Sequence, residues 1–186
     1  NSLKNEKSTT IAFEPSSSNL RVLTRNISIN KLEKNIKVFS QPLTNKENIF
    51  QEMNESHFQE GGALNAFGEK FDHKGKEFNS EMKYSLFGTS INYLIENKFL
   101  EIPNHIKIDV DGIEHLILEG GNRVLNNKKI KSLSIEINEN FKEQHDKVLN
   151  LMNEFGFKIL HKKHNEDIFT KESEFFSTFN YIFIRK

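Results

Sequence analysis

The stretch Ile106–Gly121, IKIDVDGIEHLILEGG, decides the fold class of this chain. An apolar-alternating run ends in the acidic turn Asp109-Val110-Asp111-Gly112. An amphipathic segment with Ile113, Leu116, Ile117 and Leu118 follows at once. A strand therefore brings carboxylates to its C-terminal tip and turns straight into a helix. In open α/β sheets, ligands bind outside the carboxyl ends of the strands. Two carboxylates at such a tip are better placed for chemistry than for packing.

The neighbouring segments extend the same alternation. Upstream, Ile11–Phe13 is a short apolar strand that must stop at Glu14-Pro15, because proline has no N–H to continue a ladder. Ser16–Ser18 offer a helix cap, and Leu20, Leu23 and Ile27 recur at helical spacing. Ile36–Phe39 is the next strand. Downstream, Ser132–Asn138 (SLSIEIN) reads as a strand. Asp146–Phe155 is an amphipathic helix closed by Gly156. Phe157–His161 and Asn180–Arg185 are strands without a helix between them, so they are expected to pair antiparallel. Thr89–Asn97 is a short helix candidate. Residues 44–87 are polar and show no clear periodicity, and so long a connection is expected to be a functional or disordered loop. The order βαβ, insertion, α, βαβαβ, loop, β predicts one α/β domain over 1–186. Its sheet is expected to be doubly wound and mostly parallel, with an antiparallel C-terminal strand.

The 186 residues can bury a core, and 26 basic side chains balance 26 acidic ones. Nucleic-acid binders carry a basic excess or stripe, which is not seen here, so no nucleic-acid partner is expected. There are no cysteines, which removes disulfides and thiolate metal sites. No apolar run approaches the roughly 20 residues that span a bilayer. The opening NSLKNEKSTT lacks a signal-peptide pattern, and the expectation is a soluble cytoplasmic protein.

Several residues are candidates for chemistry. Glu14 stands at a strand tip before a helix, where a carboxylate either accepts ribose hydroxyls or favours the helix dipole. Asp109, Asp111 and Glu114 form the second cluster. An EF-hand register fails, because it places Lys107 and Leu118 at ligand positions. A plainer reading has Asp111 capping the helix and Glu114 facing solvent; it suits Asp109 less, because Asp109 lies within the strand's inward pattern. His115 begins the helix beside this tip and could act as a general base. A carboxylate metal site at Asp109 and Asp111 lacks a third ligand in sequence, and no metal is expected. Gly-x-Ser-x-Gly, GxxxxGK[ST] and GxGxxG are all absent.

Taken together, the chain resembles the FkbM-type S-adenosylmethionine-dependent methyltransferases. The resemblance rests on IAFEPSSSNLRVLTRNISIN, on TSINYL followed by IKIDVDGIEHLILEGGNRVL, and on SLSIEIN with the terminal NYIFIR. It covers nearly the whole chain outside 51–87. Asn92 stands where the family often has Asp, and Asp111 replaces the commoner Glu. The family's first strand and glycine-rich loop would precede Ile11. Their absence implies an N-terminally truncated sequence, with Asn1–Ser8 as the tail of a helix and a sheet lacking its central strand. The strands ending at Glu14 and Asp109 would then either pair directly or depend on the missing piece, and cofactor binding by these residues alone would be weak.

The resemblance implies transfer of a methyl group from S-adenosyl-L-methionine to oxygen of a sugar or other small acceptor. Glu14 and Pro15 would hold the ribose, Gln41-Pro42 would flank the adenine, and Asp109 would line the transfer region. Asp111 or His115 would be the base, and 51–87 would be a lid-like loop over the acceptor. The competing reading is a non-catalytic α/β module that binds or assembles.

Overall fold

The computed structural model describes residues 8–63, 65–69, 71, 75–77, 80–164, 172–173 and 175–186. The reading of Asn1–Ser8 as the tail of a helix falls on residues 1–7, outside the described ones. The first strand, β1 (Thr10–Phe13), leads into α1 (Ser17–Ile29) and returns as β2 (Ile36–Phe39). Pro15 ends β1, and the Ser16 hydroxyl caps α1 by accepting the Asn19 N–H at 3.4 Å. β1 and β2 pair parallel from Thr10↔Ile36 to Phe13↔Phe39, as a helical crossover requires. The Phe13 and Phe39 rings stack at 5.2 Å.

Residues 44–87, expected as an aperiodic loop, carry a three-stranded antiparallel sheet. β3 (Ile49–Glu55) lies between β4 (Asn65–Phe67) and β5 (Met82–Gly88). The alternation is present in β3 and β5, but polar residues share the inner face. Glu55 lies beside Met53 in the interior, while Phe50 and Phe87 point outward and pack on each other. Hydropathy alone therefore hides a period of two. This sheet has its own apolar cluster of Met53, Phe67 and Ile113, joined by Tyr84, Leu86, Val110 and Leu116. It thus sits on the turn between Val110 and Ile113.

The β3–β4 connection is laced to α1. Ser18 Oγ donates to the Gln59 carbonyl at 3.1 Å, and Asn19 Nδ2 to the Gly62 carbonyl at 2.9 Å. The Gly61 N–H returns to Asn19 Oδ1 at 2.8 Å. Arg21 and Arg25 both reach Glu60.

The main core lies under the third sheet. Its strands are β6 (His105–Ile108), β7 (Ser132–Asn138), β8 (Phe157–Lys163) and β9 (Thr178–Arg185), in the order β6-β7-β9-β8. β6 and β7 are parallel, and β9 runs antiparallel to both β7 and β8. The antiparallel pairing of the last two strands is as expected, and β9 also separates β8 from β7. Leu133, Ile135 and Ile137 of β7 are fully buried on one face. Leu118 of α3 (Glu114–Glu119) and Val148 and Met152 of α4 (Lys142–Glu154) complete that core. Ser132, Ser134 and Glu136 point to the opposite, partly exposed face.

The fold is α/β, but the single doubly wound, mostly parallel sheet is not what forms. Strands fall into three sheets, and antiparallel pairs predominate. Two physical causes account for this. The insertion pairs within itself, and β9 follows β8 without a crossover. Among the described residues β1 pairs only with β2 and β6 only with β7, so the two do not close on each other.

Short links tie the sheets together. Leu43 and Thr89 form a parallel bridge, and α2 (Ile91–Glu96) starts at the Ser90 cap. Asn92 is buried; its Nδ2 donates to Asn122 Oδ1 at 2.9 Å and its Oδ1 accepts the Arg123 N–H at 3.1 Å. An amide supplies both donor and acceptor, which an ionised Asp cannot. At Gly120 a Cβ would lie 2.1 Å from the Thr44 carbonyl oxygen, so this backbone approach admits no side chain. At the far end, Arg185 closes the core. Its guanidinium donates to the carbonyls of Leu125 (3.0 Å), Asn127 (2.7 Å), Ile130 (3.2 Å) and Phe155, and stacks 3.8 Å over the Phe157 ring. No described helix is long and apolar enough to cross a membrane.

Candidate active site

The acidic turn is built by two left-handed residues in succession. Asp111 has φ 59° and Gly112 φ 115°, which turn the chain sharply from β6 into α3. Asp tolerates the left-handed region better than most side chains, and glycine enters it freely. α3 has no side-chain cap, so Asp111 does not play that part. Glu114 does the equivalent work by folding back. Its Oε1 accepts the N–H groups of Val110 (3.2 Å) and Gly112 (3.3 Å), and its Oε2 accepts a hydrogen bond from Gln144 Nε2. Glu114 is 2% exposed, which corrects the expectation that it faces solvent. Burial pushes its carboxyl up to about 7, against the lowering effect of those N–H groups.

Asp109 is also placed differently from its inward reading. Its carboxylate is exposed on the polar face of the sheet, with Lys107 Nζ 2.5 Å from Oδ2. Continuing the β6–β7 register one step past Ile108↔Ile135 sets Asp109 opposite Glu136. Burial, then the charge of Asp109, push Glu136 up to about 7, and Asp111 and Glu114 add to the effect. Behind this tip, Asp111, Gly112, Glu114, Glu136, Asn138, Gln144, Phe175 and Thr178 enclose a cavity of about 20 Å³. That is room for one water-sized group. Gln144 Oε1 and Thr178 Oγ1 are buried there without a hydrogen-bond partner among the described residues.

Glu14 approaches from β1. Its N–H continues the ladder to the Phe39 carbonyl at 3.0 Å, and its Oε1 accepts the Ser16 N–H at 2.9 Å. Burial raises its carboxyl, and the nearby charges of Glu55 and Asp111 add to this. Glu14, at the end of β1, is thus within reach of the charge of Asp111 in the turn after β6. Glu55, fully buried, comes from the inserted sheet. Tyr84 donates to its Oε1 at 2.5 Å and accepts the Ser17 N–H at 3.3 Å. Burial and this bond push the Tyr84 hydroxyl up to about 12.

Glu14, with Pro15 beside it, is therefore near enough to Asp111 for their charges to interact, and Asp109 stands two residues before Asp111. Gln41, Pro42 and His115 are placed otherwise. Gln41 is exposed; Pro42 is buried and its carbonyl accepts the Thr89 N–H at 3.1 Å, at the entry to α2. His115 is 9% exposed, and the charges acting on it are Lys147, Glu119 and Glu143 along α3 and α4. Burial, then Lys147, lower its proton affinity. Among the described residues no three His, Asp or Glu side chains are grouped as metal ligands, so the carboxylate-metal alternative gains no third ligand. Sequence reading missed Glu136 and Glu55. For Glu136 a signal existed: it is the lone charge in the run SLSIEIN, two residues from the strand's end.

Residues 2–159 match the methyltransferase FkbM domain family. No curated protein matches the chain. Among solved structures it is similar to the crystal structure of methyltransferase FkbM from Methylobacillus flagellatus KT, with a TM-score of 0.57 and 15% sequence identity. The superposition covers 95% of this chain and 36% of that one, so the chain spans about a third of that protein's length. That likeness is one of fold; the family match covers most of the sequence. The chain belongs to the methyltransferase FkbM domain family.

Proposed function

We propose that this chain serves methyl transfer from S-adenosyl-L-methionine to oxygen of a sugar or other small acceptor. The observation that carries this reading is that Glu14, at the end of β1, lies within reach of the charge of Asp111 in the turn that follows β6. These residues fit the cofactor chemically. A half-buried carboxylate such as Glu14 is an acceptor matched to a ribose diol, and the acidic cluster is matched to a positively charged sulfonium. When bound, the cofactor supplies a methyl group made electrophilic by that charge. Glu14 and Pro15 would hold the ribose end, Gln41-Pro42 the adenine end, and Asp109 with Asp111 the region of transfer. His115, turned toward α4, is the weaker candidate for the base. Residues 1–186 act as one domain in this reading. The inserted sheet within 51–87 acts as the lid, because it packs on Val110 and Ile113 directly over the acidic turn.

Titration calorimetry with S-adenosyl-L-methionine on the natural full-length polypeptide tests the assignment. Glu14→Ala should weaken binding roughly 10–100-fold, the worth of hydrogen bonds to a charged acceptor. Unchanged affinity would overturn it. The second reading, a module that binds or assembles without catalysis, is favoured by the edges of β1 and β6, each with one strand partner among the described residues. Absence of cofactor binding in the same titration would select it.

A further inference from the structure

The turn that carries Asp111 is held from a distance. The amides on either side of Asp111, Val110 N–H and Gly112 N–H, donate to one oxygen of Glu114 at 3.2 and 3.3 Å. The other oxygen of that carboxylate accepts Nε2–H of Gln144, 30 positions further along the chain on α4. Gln144 is wholly buried, and Val148 and Met152 follow it at four-residue spacing on the same side of α4, inside the main core. The acidic turn is thus tied to the core through one side-chain amide. Packing alone does not fix that amide, because the cavity of about 20 Å³ lies against it. The bond to Glu114 does.

Asp111 requires such a hold. At φ 59° it keeps a left-handed backbone that most side chains avoid, and the glycine after it adds no restraint of its own. Without the two N–H bonds to Glu114, nothing in the turn's local chemistry keeps Asp111 in that conformation rather than in an extended one. We propose that Gln144 is a positioning residue: through Glu114 it fixes the left-handed turn that presents Asp111 at the end of β6. The inference rests on the cofactor reading above, in which Asp111 borders the region of transfer. Gln144 acts on the turn through Glu114 and takes no part in the chemistry itself.

Amide hydrogen exchange, followed by NMR on the natural full-length polypeptide, reads this hold directly. Gln144→Met keeps the length of the side chain and removes its donor. Protection of the Val110 and Gly112 amides should fall roughly 10–100-fold, the worth of a hydrogen bond to a charged acceptor. Protection of Leu133 and Ile135 in β7 should fall by much less, which separates opening of the turn from a general loss of stability. Gln144→Glu supplies a conditional rescue. Two facing carboxyl groups share a proton at about pH 5.5 and repel at about pH 8, so its turn should be protected at the first and open at the second. Titration with S-adenosyl-L-methionine links the hold to the site, and Gln144→Met should bind it roughly tenfold more weakly than the wild type. Equal protection of the turn amides in wild type and Gln144→Met, or a loss that only matches Leu133 and Ile135, overturns the inference. So does an opened turn with unchanged cofactor affinity. Absence of binding by the wild type overturns the cofactor reading instead, and the exchange data still decide whether Gln144 holds the turn.

Discussion

Raising the pH from about 4.5 to about 7 should lower the stability of this protein, the reverse of ordinary acid denaturation. Glu114 is the reason. Its carboxyl is pushed up to about 7 in the fold by burial, from an ordinary 4.5. Between those values the folded chain binds a proton that the unfolded chain has already lost. Stability from this group is therefore fully present below about 4.5 and is lost as pH rises through 7. For so buried a group the change is on the order of 3 kcal/mol, or roughly 5–10 °C in the thermal midpoint. Glu136 and Glu14 are raised in the same direction and act with the same sign, by less, since both are partly open to water.

Glu114→Gln should flatten this profile at little cost to folding. The new amide oxygen can still accept the Val110 and Gly112 N–H groups. Its NH₂ then faces Gln144, whose own Oε1 is unpartnered and can accept after the Gln144 amide rotates. Thermal melts at stepped pH measure this. A wild-type midpoint that rises steadily from pH 4.5 to 7 would sink the account.

The second large effect is expected at Arg185. Replacing it with methionine keeps an apolar stem over Phe157 but removes the donors to four backbone carbonyls, those of Leu125, Asn127, Ile130 and Phe155. Leu125 and Ile130 are wholly buried, so water cannot easily take the vacated places. A loss of roughly 3–4 kcal/mol is expected, read as a lowered urea midpoint. Arg185→Lys should recover less than half of it, because a single ammonium cannot reproduce a planar fork reaching separate segments. A loss below about 1 kcal/mol in the methionine variant would refute the clasp.

The parts of the fold that could be read in advance are those where apolar residues alone mark the period. β2 and β7 match their expected spans, and Ser16 and Gly156 punctuate helices as expected. The inserted sheet could not be read this way, because its buried positions include Glu55 and Asn54, which hydropathy scores as surface. The same limit applies to the site. Glu14 and Asp109 stand at strand ends, where position announces them. Glu114 was misjudged because nothing in IEHLILEGG shows that a helix lacking a cap residue will recruit its own first carboxylate. His115 was drawn to the tip by sequence adjacency, whereas helical rotation carries it to α4. Pairings between residues far apart, such as Gln144 with Glu114 or Tyr84 with Glu55, have no signature in a single sequence.

The lacing of α1 to the β3–β4 connection has a thermodynamic consequence. A two-stranded sheet is marginal on its own, and β1 has β2 as its only strand partner among the described residues. Much of what holds β1 and α1 in place is therefore the inserted sheet, through Gln59, Glu60, Gly61, Gly62 and Tyr84. The two behave as one cooperative unit that opens together, below the free energy of global unfolding. Loosening the insertion therefore releases Glu14 as well. Any ligand that grips Glu14 must slow amide exchange in β3 and β5, strands it does not touch.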